Sequence, residues 1–163
     1  MRFALDESYD VLVTMDADWS HDPQYLPAIV EAAEGADVAL GSRYCENGAI
    51  EGWSMRRRIL SRGANWLSRL MLRLPVRDSS GAFRAYRLDA LKKIDLATLR
   101  STGYSYLEEI LWHLDRAGAT FAEVPITFRE RRAGKSKINA KEALGKVRTL
   151  LRLSVSGIPR KSD

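Results

Sequence analysis

The sequence contains one cysteine, Cys45, among its 163 residues, which excludes an internal disulfide and is compatible with a reducing compartment. It contains no run of about 18 apolar residues of the kind that forms a transmembrane helix. Although the net charge is +5, no signature of an RNA- or DNA-binding module occurs, so a nucleic-acid partner is not expected. With 45% hydrophobic residues, the chain has the length of one domain and enough apolar side chains for a core.

An apolar run at residues 11–15 is followed by two carboxylates, Asp16 and Asp18. The run predicts a buried strand, and in an open α/β sheet the ligand crevice lies beyond the carboxyl ends of the strands. Mg²⁺ is commonly held by one or two carboxylates together with substrate phosphates, so the spacing favours a divalent-metal site for a phosphorylated ligand. An acidic turn without a metal is the alternative, because aspartate is common in turns.

A second strand, predicted at residues 38–40, is followed by Gly-Ser-Arg-Tyr and places Arg43 near the two aspartates. The segment between the strands begins with Asp22 as a helix cap and Pro23 in the first turn. The order strand, helix, strand is typical of a parallel sheet. A guanidinium at this edge suits a phosphate ligand, but it can equally pair with a nearby acid.

Two basic segments have helical periodicity. Residues 52–77 contain seven arginines and no acid, and residues 128–163 contain eleven Lys or Arg against three acids. The apolar face of the first is Ile59, Gly63, Trp66, Leu67, Leu70, Met71 and Leu74, bordered by Arg58, Arg62, Arg69 and Arg73. The apolar face of the second is Leu144, Val147, Leu151, Val155 and Ile158, beside Lys141, Arg148 and Arg152. Such helices bind anionic membrane surfaces, and the alternative is that their apolar faces complete the domain core.

Two further groups could bind anions. Arg57 and Ser61 lie one helical turn apart on the polar side of the first basic helix, where both could reach one anion. The loop at residues 129–137 carries five positive charges with a glycine and a serine, which suits phosphate binding. It is not a Walker A loop, because the G-x-x-x-x-G-K frame is absent, and a solvated loop is the alternative.

Acidic residues in the middle of the chain are the remaining candidates. Asp78 lies in a small polar loop before a predicted strand, where it could orient a sugar hydroxyl or a water, or form an ordinary turn. A helix is predicted from about residue 105 to residue 117 and carries Glu108 and Glu109, of which only one is expected to face inward.

Five short motifs occur in order along the chain. They are Asp16-Ala17-Asp18-Trp19-Ser20-His21-Asp22-Pro23, Gly41-Ser42-Arg43-Tyr44, Arg57-x-x-x-Ser61-x-Gly63-Ala64-Asn65, Ser80-Gly81-x-Phe83-Arg84 and Gly134-Lys135-Ser136-Lys137. Together they resemble the polyprenol (dolichol) phosphate mannose synthases, a family of inverting family 2 glycosyltransferases with the GT-A fold. Each motif alone is a weak signal, whereas five in the family's order are a specific one.

The resemblance implies an α/β fold of the GT-A type, with a Rossmann-like, mostly parallel sheet flanked by helices. Residues 1–137 would form the C-terminal part of this domain, and residues 138–163 a basic amphipathic helix and tail. Family members carry two further βα units before the Asp-x-Asp strand, so about 60–80 additional residues are expected upstream, at ~30 residues per βαβ unit. The chain is therefore expected to be N-terminally truncated relative to the family and incomplete as an enzyme.

The resemblance also implies an activity, namely transfer of mannose from GDP-mannose to a polyprenyl (dolichyl) phosphate. Asp16 and Asp18 would hold Mg²⁺ or Mn²⁺. The acceptor phosphate would be bound by Arg43, Arg57, Ser61 and Arg131, with Lys137 binding phosphates more generally, and Asp78 and Glu109 match catalytic positions. The protein would be cytoplasmic and peripheral on the membrane face, attached to the membrane surface through its basic amphipathic helices.

Two alternatives remain open at this point. A related GT-A transferase could use another sugar nucleotide, such as UDP-glucose, or a saccharide acceptor, because one fold serves many substrates. The chain could also be a non-catalytic fragment that only associates with membranes.

Overall fold

The computed structural model describes residues 1–7, 9–130 and 140–156, without the side chains of 140–143. The helices are α1 Arg2–Asp6, α2 Leu26–Ala32, α3 Met55–Leu72, α4 Leu88–Leu91, α5 Ser105–Arg116 and α6 Ala140–Ser154, with short 3₁₀ turns at Pro23–Tyr25 and Leu96–Thr98. The strands are β1 Val11–Thr14, β2 Val38–Ser42, β3 Ala49–Ile50, β4 Arg84–Arg87, β5 Phe121–Pro125 and β6 Thr127–Phe128.

Four strands form the main sheet, in the order β1–β4–β2–β5. Strands β1, β2 and β5 point in one direction, and β4 runs antiparallel between β1 and β2. Thr14 of β1 and Leu40 of β2 both pair with Arg84 of β4, so the carboxyl ends of β1 and β2 meet at one edge. The predicted α/β fold is confirmed: three of the four strands share one direction, and the antiparallel β4 makes the sheet a mixed one. The insertion of β4 between β1 and β2 is a tertiary pairing that local sequence order does not reveal.

Helices cover both faces of this sheet, because alternate residues of a strand point to opposite sides. Val38 and Leu40 pack in a buried cluster that includes Tyr86 and residues of α3, α4, α5 and α6. Ala39, between them in β2, packs in a second cluster with Ile29 of α2. The two clusters hold the edge formed by the carboxyl ends of β1 and β2 in a fixed position.

The face of α3 that packs against the rest of the protein lies opposite to the apolar face. Its buried positions are Asn65, Ser68 and Leu72, whereas Trp66 and Leu70 are 63% and 60% exposed. Of the predicted apolar line, Leu74 is buried and Met71 packs against the core, whereas the other members are exposed, so most of the line does not complete the core in the described structure. The buried polar face binds the loop that contains Asp78 through Asn65 and helix α5 through Ser68.

Helix α6 also places most of its predicted apolar line in solvent. Leu144, Val147, Leu151 and Val155 are exposed, and the positions that pack inward are Leu150 and Leu153. No helix in the described ranges has the length and apolar composition needed to cross a bilayer. The described chain thus carries two basic helices with outward apolar side chains.

Candidate functional site

Asp16 and Asp18 follow directly after β1, at the carboxyl edge of the sheet. The Asp16 side chain is 48% exposed. Oδ1 of Asp18 accepts hydrogen bonds from the backbone N–H and the hydroxyl of Ser20, which fixes the turn after the strand. No group of three or more His, Cys, Asp or Glu that could hold a metal occurs in the described ranges. Two carboxylates without a closed cage match a hard cation that keeps open positions for substrate phosphates.

His21 supports this turn, and no sequence pattern marks it as a functional residue. Its Nδ1 accepts a hydrogen bond from the backbone N–H of Asp16 at 3.0 Å. The ring is 3% exposed and packs against Phe83 and Phe128, with ring centres 5.2 and 5.4 Å apart. Burial lowers the pKa of His21, so its neutral form, which can accept at Nδ1, is the one present at neutral pH. Only the turn geometry identifies this role, because the residue follows no periodic pattern.

Arg43 follows β2 and forms a buried ion pair with Asp78. Nε and Nη2 of Arg43 donate to the two carboxylate oxygens of Asp78, each at 2.7 Å, and the Arg43 backbone N–H donates to Oδ2 at 3.0 Å. Burial alone would raise the pKa of Asp78, but the Arg43 guanidinium outweighs this effect and holds that pKa below its ordinary value. Of the two interpretations of Arg43, the structure therefore has the one in which the guanidinium pairs with a nearby acid. Its Nη1 takes no part in these bonds.

Arg57 and Ser61 lie beside this pair on the first turns of α3. The Arg57 guanidinium lies over the Trp53 ring, 3.9 Å from its centre, and forms an ion pair with Glu130. The hydroxyl of Ser61 is 2.8 Å from the hydroxyl of Tyr44, which donates to it. The structure therefore brings the amino-terminal half of α3 next to the residues that follow β2.

Asn65 connects α3 to the loop that contains Asp78. Its Oδ1 accepts hydrogen bonds from the backbone N–H groups of Ser79 and Ser80, at 3.0 and 3.2 Å. Its Nδ2 donates to the Ser80 hydroxyl at 3.0 Å, and the same hydroxyl accepts from Nη2 of Arg43 at 2.9 Å. In the sequence Asn65 stands out only as part of a motif, whereas in the structure it positions the loop that contains Asp78.

Replacing Asn65 with leucine is expected to lower the free energy of unfolding by about 1–3 kcal/mol, because buried N–H groups lose their acceptor. Urea denaturation measures this change. A matched control is Gln24→Leu, which replaces an exposed amide and should leave stability nearly unchanged. If Asn65→Leu were no more destabilising than Gln24→Leu, the positioning role of Asn65 would be wrong.

The expectation that only one glutamate of α5 faces inward is wrong. Glu108 and Glu109 are 1% and 2% exposed, because α5 is enclosed on several sides, with eight of its 12 residues buried. Glu108 accepts hydrogen bonds from Ser68 at 2.8 Å and from Lys146 of α6 at 2.7 Å. Its Oε2 is buried and has no hydrogen-bond partner among the described residues.

Glu109, the glutamate favoured by the family resemblance, points elsewhere. Its carboxylate accepts the backbone N–H groups of Arg100 and Ser101 and an ion pair from Arg152 of α6. Burial would raise the pKa of Glu109, but the hydrogen bonds from Ser101 and Arg100 outweigh it and lower the pKa. The ionised carboxylate thus ties the loop before α5 to α6. Predicted phosphate ligands Arg131 and Lys137 lie outside the described residues.

The chain is similar in sequence to known glycosyltransferases. The sequence model of Glycosyl transferase family 2 matches residues 3–95, more than half of the chain. Polyprenol monophosphomannose synthase of Mycolicibacterium smegmatis is 43% identical over 149 residues, which are 89% of this chain and 56% of that protein. Undecaprenyl-phosphate mannosyltransferase of Micrococcus luteus is 41% identical over 138 residues, 85% of this chain and 57% of that protein. The chain spans a little over half the length of these curated relatives.

Proposed function

The chain belongs to glycosyl transferase family 2, and on this basis we propose that it transfers mannose from GDP-mannose to a polyprenyl phosphate. The observation that carries the proposal is the agreement of two relatives at more than 40% identity, one named a polyprenol monophosphomannose synthase and the other an undecaprenyl-phosphate mannosyltransferase. The carboxylate pair and the arginines at one sheet edge supply the chemistry that such a transfer needs.

Asp16 and Asp18 are the proposed metal ligands. Their carboxylate oxygens fit Mg²⁺ or Mn²⁺, and Nδ1 of the neighbouring His21 is occupied by the hydrogen bond from the Asp16 backbone N–H. Asp16 and Asp18 would hold a cation whose charge would offset that of the diphosphate leaving group. The hydrogen bonds from Ser20 orient the Asp18 carboxylate, and the hydrogen bond to His21 fixes the backbone of Asp16.

The acceptor requires little activation, because a phosphate oxygen is already anionic at neutral pH. We propose that Arg43, Arg57, Ser61 and Arg131 bind the acceptor phosphate, and that Lys137 binds phosphates more generally. Positioning and charge stabilisation would then supply most of the rate enhancement. Asp78 and Glu109 would act by holding other groups: Asp78 fixes the Arg43 guanidinium, and Glu109 fixes the backbone of the loop before α5.

The chain spans a little over half the length of its curated relatives, so the donor is tested on a version of the relatives' full length, supplied with Mn²⁺, undecaprenyl phosphate and radiolabelled sugar nucleotide. Labelled lipid is expected with GDP-mannose, and UDP-glucose at the same concentration is the matched control. Preferential transfer from UDP-glucose would contradict the assignment of GDP-mannose as the donor. An absence of labelled lipid with both donors would contradict the proposed activity and favour the membrane-associating alternative.

We also propose that α3 and α6 attach the protein to an anionic membrane surface. Arg58, Arg62, Arg69 and Arg73 are all exposed, and they border the outward apolar residues of α3, such as Trp66. An arginine near such a surface contributes about 1 kcal/mol, and the attraction is screened by salt. Exposed apolar side chains flanked by arginines are the pattern of a helix that lies in the headgroup region.

Replacing Arg58, Arg62, Arg69 and Arg73 with glutamine is expected to reduce binding to vesicles that contain phosphatidylserine, measured by co-sedimentation at low salt. The wild-type protein should bind less as salt rises, because the attraction is electrostatic. A matched control carries the same charge change elsewhere, with glutamine at the exposed positions Arg2, Arg87, Lys92 and Lys93. Equal binding by the two quadruple variants would show that the α3 arginines are only a solvated face.

A further inference from the structure

A basic cavity lies between the loop before α5 and one face of α6, and none of the proposed ligands of the mannosyl site lines it. Its volume is about 320 Å³, and it is lined by three arginines, Arg100, Arg148 and Arg152, together with four serine or threonine residues and Gly145. None of these lining residues is acidic or hydrophobic. Cavities from about 300 Å³ upward hold small ligands, so the size is sufficient for one phosphorylated group.

Two of the three arginine charges are not neutralised in the described part of the chain. Arg152 is paired with Glu109 and donates to the Ser101 hydroxyl at 3.0 Å. Arg100 and Arg148 are exposed, and neither forms an ion pair with any described residue. The cavity therefore has a net positive charge that matches a dianion.

The arrangement of donors suits phosphate. Ser105 in the lining is the first residue of α5, a 12-residue helix, and the amino end of a helix carries partial positive charge. Guanidinium groups bind phosphate oxygens in a bidentate manner, and the hydroxyl side chains of the lining add further donors. The donors come from two separate elements, the start of α5 and the middle of α6.

Gly145 keeps the α6 side of the cavity open. A Cβ added at this position would meet no atom within 4 Å. Glycine weakens the interior of a helix relative to alanine, and no close packing requires it here. The same helix carries the exposed Leu144 and Leu151 on its solvent side, where an acyl or prenyl chain would find apolar contacts.

We propose that this cavity is a second phosphate-binding site, separate from the Asp16–Asp18 site. It accepts a phosphate group between Arg100, Arg148 and the start of α5. The phosphate belongs either to a small soluble molecule or to the headgroup of an anionic lipid whose chains lie along α6. Phosphate binding at this site requires no metal and no sugar nucleotide, so it can be tested separately from the proposed transferase activity.

The first arm of the test is a calorimetric titration of the purified protein with inorganic phosphate, in the presence of a chelator. Saturable binding is expected, and Arg148→Gln and Gly145→Leu should each weaken it about tenfold or more, the loss that follows from one charge-assisted hydrogen bond or from a filled cavity. Arg56→Gln and Gly63→Leu are matched controls, because Arg56 is exposed and a Cβ at Gly63 also meets no atom within 4 Å.

The second arm uses phosphatidylcholine vesicles with and without phosphatidic acid, at fixed salt, and every protein in it carries glutamine at Arg58, Arg62, Arg69 and Arg73, so that binding through α3 does not mask the cavity. If soluble phosphate does not saturate the site but phosphatidic acid binds in a manner that Arg148→Gln and Gly145→Leu abolish, the ligand is a lipid headgroup. If both cavity variants bind phosphate and phosphatidic acid as well as their controls do, or if the wild-type protein binds neither, the proposal is overturned. Should Gly145→Leu fail to fold, Arg148→Gln decides the outcome, because that side chain is exposed.

Discussion

In a version of the relatives' full length, replacing Asp16 or Asp18 with alanine is expected to abolish metal-dependent mannosyl transfer. Both carboxylates lie beyond the carboxyl end of β1, and the half-exposed Asp16 side chain contributes little to packing. Without the cation, the diphosphate leaving group loses a charge stabilisation of several kcal/mol, which corresponds to about 10³-fold or more in rate. Binding of Mn²⁺, followed by the electron paramagnetic resonance signal of the free ion, and transfer of labelled mannose measure the effect.

The same experiment distinguishes loss of metal from loss of fold. Asp18→Asn keeps an acceptor for the hydrogen bonds from Ser20, so it should preserve the turn while weakening metal binding. Asp10→Ala removes an exposed carboxylate just before β1 and should bind Mn²⁺ normally. Normal Mn²⁺ binding by Asp16→Ala or Asp18→Ala would refute the assignment of these residues as ligands.

Replacing Asp78 with alanine is expected to lower the free energy of unfolding by about 3–5 kcal/mol, the range for breaking a buried ion pair. The Arg43 guanidinium, only 7% exposed, would keep its charge without a counter-ion. The backbone N–H groups of Arg43 and Gly81 would also lose their acceptor. Urea denaturation of the purified protein measures the loss, and Asp89→Ala is the control, since it breaks an exposed pair with Lys92 that contributes about 0–1 kcal/mol.

The contribution of Asp78 also depends on pH in a defined direction. Because the pKa of Asp78 in the folded protein lies below its ordinary value of 3.8, folding favours the ionised form. The stabilisation is complete above 3.8 and decreases as the pH falls through the lower, folded-state pKa. The stability difference between wild type and Asp78→Ala should therefore shrink only under strongly acidic conditions. A difference that already disappears at mildly acidic pH would contradict the pairing.

The elements whose signals are local could be predicted from the sequence. The apolar run of β1 followed by Asp16 and Asp18, and the cap at Asp22, are short-range features, and the structure has them where they were expected. The confirmed family assignment rested on motifs of the same kind. These features depend on neighbouring residues alone, so they do not require knowledge of the tertiary fold.

The features that could not be predicted depend on contacts between residues that are distant in the sequence. Periodicity identifies an apolar stripe on α3, but Asn65 and Ser68 are buried instead, because their partners, the Ser80 loop and Glu108 of α5, are distant in the sequence. Likewise, the pairing of Arg43 with Asp78 spans 35 residues, and no local pattern selects that acid over another. The strand between β1 and β2 belongs to the same class of long-range pairing.

The two buried glutamates of α5 affect local unfolding, because both pair with residues of α6. Each receives its positive partner from α6, Glu108 from Lys146 and Glu109 from Arg152. Detachment of α6 would leave two buried carboxylates without counter-ions, which is strongly unfavourable. Helices α5 and α6 are therefore expected to exchange their amide hydrogens as one cooperative unit, and fraying at the carboxyl end of the described chain is expected to stop at Arg152.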